Sequence, residues 1–165
     1  MSIAALIAWL ESSSLAEAIR TSGYLFPVIE SFHVIGLTMV FGTITVVDLR
    51  LLGVGSARRP FTKVASDILK WTWAAFALAA VTGSMLFISN ADVYYHNFYF
   101  RSKMILLALS ALNMLIFKFT AGKWVHSWDR DLMAPPAGRT VAIVSLVLWI
   151  SIIFCGRWIG FSTQL

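Results

Sequence analysis

An all-α membrane protein is predicted here, a four-transmembrane-helix bundle with a short N-terminal interfacial helical segment. Three observations predict it: apolar runs of bilayer length, too little charge for a soluble surface, and basic residues sorted by loop. Charged residues are 13% of the 165 and hydrophobic ones 59%, with mean hydropathy +0.79. A soluble domain carries about 25% charge. The runs fall at about 24–47, 71–89, 102–119 and 139–160, each near the ~20 residues that cross a ~30 Å hydrocarbon core. They lack the strict alternation of barrel strands. Helices are the other way to satisfy backbone groups in lipid.

The N-terminal stretch MSIAALIAWLESSSLAEAIR lacks a basic n-region, and its first cation comes late, at Arg20. This favours an interfacial helix over Ile3–Trp9, a break at Ser12–Ser14 and a second short helix, over a cleaved signal peptide. Ser14 and Glu17 have capping-box spacing. The whole chain, 1–165, reads as one transmembrane domain with residues 1–22 at the interface. The APPAG turn, Ala134–Gly138, breaks the chain before the last span.

Basic residues set the orientation. Arg50, Arg58, Arg59, Lys63, Lys70, Lys118, Lys123, Arg130 and Arg139 fall on one side, and Arg20, Arg101, Lys103 and Arg157 on the other. The positive-inside rule places the larger group in the cytoplasm and both termini outward. Trp71, Trp73, Trp124 and Trp128 form an inner aromatic belt, and Tyr24, Tyr94, Tyr95, Tyr99 and Trp158 an outer one. The net charge of +5 then reflects topology and contact with anionic lipid rather than nucleic acid. One cysteine, Cys155, excludes an intrachain disulfide and a Cys-rich metal cage.

Phosphate loops, dinucleotide fingerprints, nucleophile elbows and HExxH motifs are absent. Chemistry is therefore sought among polar residues inside the spans. In YLFPVIESFHVIGLTMVFG, Tyr24–Gly42, Glu30 and His33 interrupt an otherwise apolar helix. His33 lies 15 residues from Asp48 at the inner end, about 22 Å up and so about 8 Å below the outer surface. Glu30 is a turn shallower. The same arithmetic brings Met85, Cys155 and Arg157 to the outer slab, and leaves Asn113 near the midplane.

An intramembrane ionisable group costs at least ~2.5 kcal/mol when charged and is a functional hypothesis by default. Two readings of His33 stand side by side. In one it hydrogen-bonds across the bundle while Glu30 pairs with Arg157; in the other it is an axial haem ligand or a copper ligand. A Glu30–His33 proton relay is a third. Asp92 and His96, at i,i+4 spacing, suit a divalent cation only if their loop is helical, and two ligands are few. His126 reads as an interfacial residue beside Trp124 and Trp128. Asp48 and Arg50 do not face each other, so each is expected to pair elsewhere, with Lys70, Asp67 or head groups. Ala79/Gly83 and Gly156/Gly160 have the spacing of close helix packing.

The runs ESFHVIGLTMVFGTITVVDLRLLG, TGSMLF and FYFRSKMILLALSALNML resemble an uncharacterised family of small bacterial inner-membrane proteins. More distantly, the histidine followed by VIG…FG, and a lysine opening a later span, are similar to two groups. These are the copper-resistance D-type proteins and the membrane haem proteins of the oxygen-independent protoporphyrinogen oxidase type. The resemblance covers residues ~24 to ~120. It implies a four- or five-helix bundle with His33 as haem ligand. The chain departs from the haem relatives in having no second histidine on a later span. His33 with Met85 as second ligand, or with an open axial site, are then the geometries expected, with Arg157 pairing a haem propionate and Glu30 orienting or protonating.

The function expected is an inner-membrane redox protein carrying b-type haem, either a haem-dependent oxidoreductase or its membrane subunit. It would exchange electrons with a membrane or periplasmic partner and form a homo-oligomer or heme-bridged pair of protomers. Copper replaces haem in one alternative. Metal or small-solute transport, with Glu30 and His33 lining a vestibule, and a non-catalytic anchor subunit are the others.

Overall fold

The structure is a computed structural model and describes residues 2–54 and 59–162. Arg58, one of the nine cations assigned to the inner side, lies outside the described residues. All regular structure among them is helical.

The chain opens with α1 (Ile3–Glu11) and α2 (Ser14–Thr21), joined at the expected serine break. The cap is one residue earlier than the Ser14–Glu17 spacing suggested. Ser13 stands outside the helix and its hydroxyl accepts from Ala16 N–H at 3.3 Å. Ser2 caps α1 in the same way through Ala5 N–H. Arg20 ties this segment down, donating to the carbonyls of Glu11 at 2.9 Å and Ser89 at 3.0 Å.

Four helices are long and apolar enough to cross a membrane: α3 (Leu25–Leu51), α4 (Phe61–Ser89), α6 (Phe98–Phe119) and α8 (Pro136–Ser162). Each exceeds the apolar run that marks it. α4 starts ten residues before Trp71, directly after Pro60, because the Phe61 and Val64 side chains are buried there and stabilise the extra turns. α6 starts at Phe98 because the Asn97 side chain accepts from the N–H groups of Tyr99 and Phe100 at 2.9 and 3.1 Å, a cap that satisfies two otherwise orphan donors. Short α5 (Ala91–His96) links α4 to α6. A 3₁₀ turn (Ala121–Trp124) and α7 (Val125–Trp128) lead towards α8.

The helices pack as two antiparallel hairpins, α3 with α4 and α6 with α8, and α3 also packs on α8. Gly36 makes the first hairpin tight. A Cβ there would lie 3.0 Å from Ala79 N and 3.2 Å from Ala75 O, so the backbones meet where only hydrogen fits. At mid-depth Val40, Ala75, Trp149 and Ile152 form a core, with Leu106 and Leu107 packed on it. Asn113 is buried and donates to Val141 O at 3.0 Å, so this midplane amide serves as α6–α8 packing.

A second core closes the other end around Leu51, Phe61, Ala121, Trp128, Ala134 and Ala142. Trp128 departs from the expected aromatic belt: it is buried, tilted against Phe61 at 5.2 Å, and donates its indole N–H to Ala121 O at 3.0 Å. Trp71, Trp73 and Trp124 do face outward. Gly53 turns the chain after α3 at φ +80°, a conformation that favours glycine, and Leu132 O lies 3.0 Å from where a Cβ would stand.

Arg50 organises this end. Its side chain is fully buried, with Nε donating to Arg59 O at 2.8 Å and Nη2 to the carbonyls of Asp131 at 2.9 Å and Asp129 at 3.1 Å; Leu132 O is at 3.5 Å. Three short bonds from a charged donor, each about 1.5–3 kcal/mol, outweigh the ~2.5–3.5 kcal/mol of placing the charge in a span. The expected partners Lys70, Asp67 and head groups are thus not those found for Arg50. Asp67 instead meets Arg59 at 3.0 Å and Lys63 at 3.7 Å. Asp48 is buried with the Ser145 hydroxyl of α8 beside it, and its Oδ2 has no hydrogen-bond partner among the described residues.

Candidate functional site

All four spanning helices contribute to one polar cluster in the half of the bundle remote from Arg50. His33 enters from α3, half-buried. Its Nδ1 lies 2.8 Å from Ala79 O and 3.2 Å from Thr82 Oγ1 on α4. A carbonyl only accepts, so Nδ1 carries the proton and donates, while Nε2 is left to point into the bundle. The Thr82 hydroxyl can take part because its own proton goes to Leu78 O at 2.7 Å.

Nε2 faces Lys103 Nζ of α6 at 3.5 Å. Lys103 is buried, with only 8% of its surface exposed. Cys155 of α8 is its electrostatic neighbour, and a Cβ on the adjoining Gly156 would stand 3.6 Å from Nζ. Gly83 makes the histidine's position possible: a Cβ there would meet His33 Cε1 at 2.8 Å, inside any real contact distance. The Gly83 of the Ala79/Gly83 pair therefore makes room for an imidazole rather than for a helix backbone, whereas Ala79 does face a backbone, that of Gly36. Gly156 likewise looks onto Lys103.

Lys103 is the member that sequence reasoning missed. With α6 begun at Ser102, Lys103 is a boundary cation; with the true start at Phe98 it lies five residues in, about 7.5 Å along the helix. The available signal was Asn97, a strong N-cap residue preceding the aromatic run.

The other predicted positions are dispersed. Met85 lies in a groove with Leu15, Ala80, Val81, Ser84 and Ile88, on a different face of α4 from Ala79, Thr82 and Gly83. Glu30 is exposed, and no ion pair joins it to Arg157 among the described residues. Arg157 is also exposed and sits over the Phe161 ring at 4.8 Å. Glu30 instead acts on Tyr94 of α5, whose phenol is pushed up first by burial and then by the Glu30 charge. α5 does make the Asp92–His96 loop helical, and His96 Nδ1 lies 3.5 Å from Asp92 Oδ1, both exposed. No group of three or more His, Cys, Asp or Glu suited to a metal occurs among the described residues. His126 is exposed on α7.

The cluster can act as a ligand donor through Nε2, as a cation site for a bound anion through Nζ, or as a short proton path between the two. No curated protein and no solved structure matches the chain. The match that is found runs over residues 6–162, nearly the whole bundle and all of the His33–Lys103 cluster, and by it the chain belongs to DUF6644, a family of unknown function.

Proposed function

We propose that the protein is a membrane redox protein that binds b-type haem through His33 Nε2. The observation that carries this reading is the hydrogen bond from His33 Nδ1 to the Ala79 carbonyl at 2.8 Å. Metal-binding histidines are held in this way, by a partner on the other ring nitrogen that fixes tautomer and ring plane and raises ligand basicity. Lys103 would be the second residue to hold the group, in place of Met85. Its Nζ stands 3.5 Å from Nε2. Both nitrogens meet where the α3/α4 hairpin faces α6. Bound haem would supply one-electron chemistry within the bilayer. Thr82 and Ala79 hold the imidazole, Gly83 leaves it room, and the surrounding apolar side chains exclude water.

The setting we propose is the bacterial inner membrane, with the Arg50 end in the cytoplasm and both termini outward, supported by the distribution of Lys and Arg. The site then lies in the outward half, suited to exchange with a membrane or periplasmic partner. Copper is the second reading, favoured by Cys155, whose thiol adds a soft donor on the α8 side of Lys103. Protein expressed with ample haem and purified in detergent should show a Soret band that His33→Ala abolishes while helicity is kept. Lys103→Met should shift the band. Colourless wild-type protein overturns the haem reading, and stoichiometric copper by elemental analysis would favour the second.

A further inference from the structure

At the Arg50 end, a groove of about 390 Å³ is lined by Leu52, Met133, Pro136, Arg139, Thr140 and Ile143. Its walls are fixed by the fold: Gly53 at φ +80° brings Met133 against the end of α3, and Ala134 N–H donates to Leu51 O at 3.0 Å. The four α8 residues follow i, i+3, i+4, i+7 spacing and so form one face.

Arg139 is the charge in this groove and is poorly satisfied. Its Nε is buried without a partner among the described residues, and Nη1 reaches only the thioether of Met133, at 3.7 Å. A thioether is a weak acceptor, and no carboxylate pairs with Arg139 among the described residues. The same face continues along α8 as Ile143, Val147, Ile150 and Phe154, each more than half exposed. Eleven residues of helix extend about 16 Å, half of a ~30 Å hydrocarbon core.

We propose that this groove binds an anionic phospholipid, with the phosphate on the Arg139 guanidinium and an acyl chain along Ile143–Phe154. The charge calls for an anion, and the apolar track calls for a chain of one-leaflet length attached to it. Basic pockets at the ends of transmembrane helices hold lipid head groups in this way. The inference is independent of any cofactor at His33.

The test is native mass spectrometry of detergent-stripped protein incubated with mixed micelles of phosphatidylglycerol and phosphatidylcholine in equal amounts. Wild-type protein should retain one phosphatidylglycerol in preference to phosphatidylcholine. Arg139→Gln should cut that preference about fivefold, the factor expected for one basic residue at the surface. Lys123→Gln, outside the groove, should leave it unchanged. If Arg139→Gln fails to fold, Thr140→Asp sets a negative charge in the groove and should expel the lipid equally well. Equal retention of the two lipids by wild type, or an unaltered preference in either groove variant, overturns the proposal. So does a lipid-free dimer, which would make a second copy the occupant, or displacement by inorganic phosphate alone.

Discussion

Two buried cations sit at opposite ends of the same bundle and are treated in opposite ways. Arg50 is wrapped by the backbone carbonyls of Arg59, Asp129 and Asp131, within 3.1 Å of its nitrogens. Lys103 is nearly as deeply buried, yet its nearest described acceptor is the His33 nitrogen at 3.5 Å. A guanidinium whose three nitrogens all meet backbone carbonyls locks a loop in place, as its planar fork is suited to do. An ammonium left with one long bond, facing an imidazole whose other nitrogen is firmly held, retains capacity for a ligand. The satisfied charge reads as architecture and the under-satisfied pair as chemistry.

The comparison breaks most readily at Arg50. Arg50→Ala should destabilise the protein by roughly 3–5 kcal/mol, since it removes three short charge-assisted bonds at once, and Arg50→Lys should recover only part of this because it lacks the fork. Thermal unfolding in detergent measures both. His33→Ala should leave unfolding nearly unchanged. Similar losses at the two sites would erase the distinction.

Gly83→Ala should act on the site more than on the fold. The added Cβ costs about 1–3 kcal/mol through overpacking, offset by about 1 kcal/mol of helix propensity, while the His33 ring is forced from its place. The expected result is an altered or lost haem spectrum at modest cost in melting temperature. Gly42→Ala, where no described atom lies within 4 Å of the added Cβ, is the control.

Asp129 sharpens the Arg50 side. Its carboxylate accepts from Thr62 N–H at 2.7 Å and Thr62 Oγ1 at 2.9 Å, capping α4. Asp129→Ala should cost about 1 kcal/mol, the usual value of a lost cap. The hydrogen bond from Thr62 N–H is the main reason its carboxyl is held below the ordinary 3.8. A depressed acid stabilises fully above its unfolded value and loses that contribution as pH falls through the lower folded value. Acid unfolding of wild type below about pH 4 should therefore be blunted in Asp129→Asn. The smallest effect is expected at Glu30→Gln, which removes a negative neighbour and should move Tyr94 part of the way back toward its ordinary range. Burial, the larger cause, remains; a phenolate absorbance titration reads the change.

Much of the fold was legible because a membrane span must be long and apolar, and both properties are local. The site was legible in one residue. His33 stands out as an imidazole in a greasy helix, and depth arithmetic placed it in the same half as Cys155. Lys103 was hidden by a four-residue error in where α6 begins, since the aromatic run Phe98–Phe100 reads equally as loop belt or helix start. Met85 and Arg157 shared the depth of His33, but depth says nothing of azimuth. Met85 turns to a groove beside Leu15, and Arg157 lies over Phe161.

What the sequence determined by itself is the solvent in which the chain folds and the number of times it crosses, because hydropathy and backbone satisfaction act residue by residue along a helix. Only the tertiary structure decided that Arg50 closes a loop, that Gly83 yields its space to a ring, and that His33 and Lys103 meet. Those outcomes depend on the rotation and close approach of helices separated by tens of residues, which the packing of Gly36 against Ala75 and Ala79 sets and no local pattern encodes.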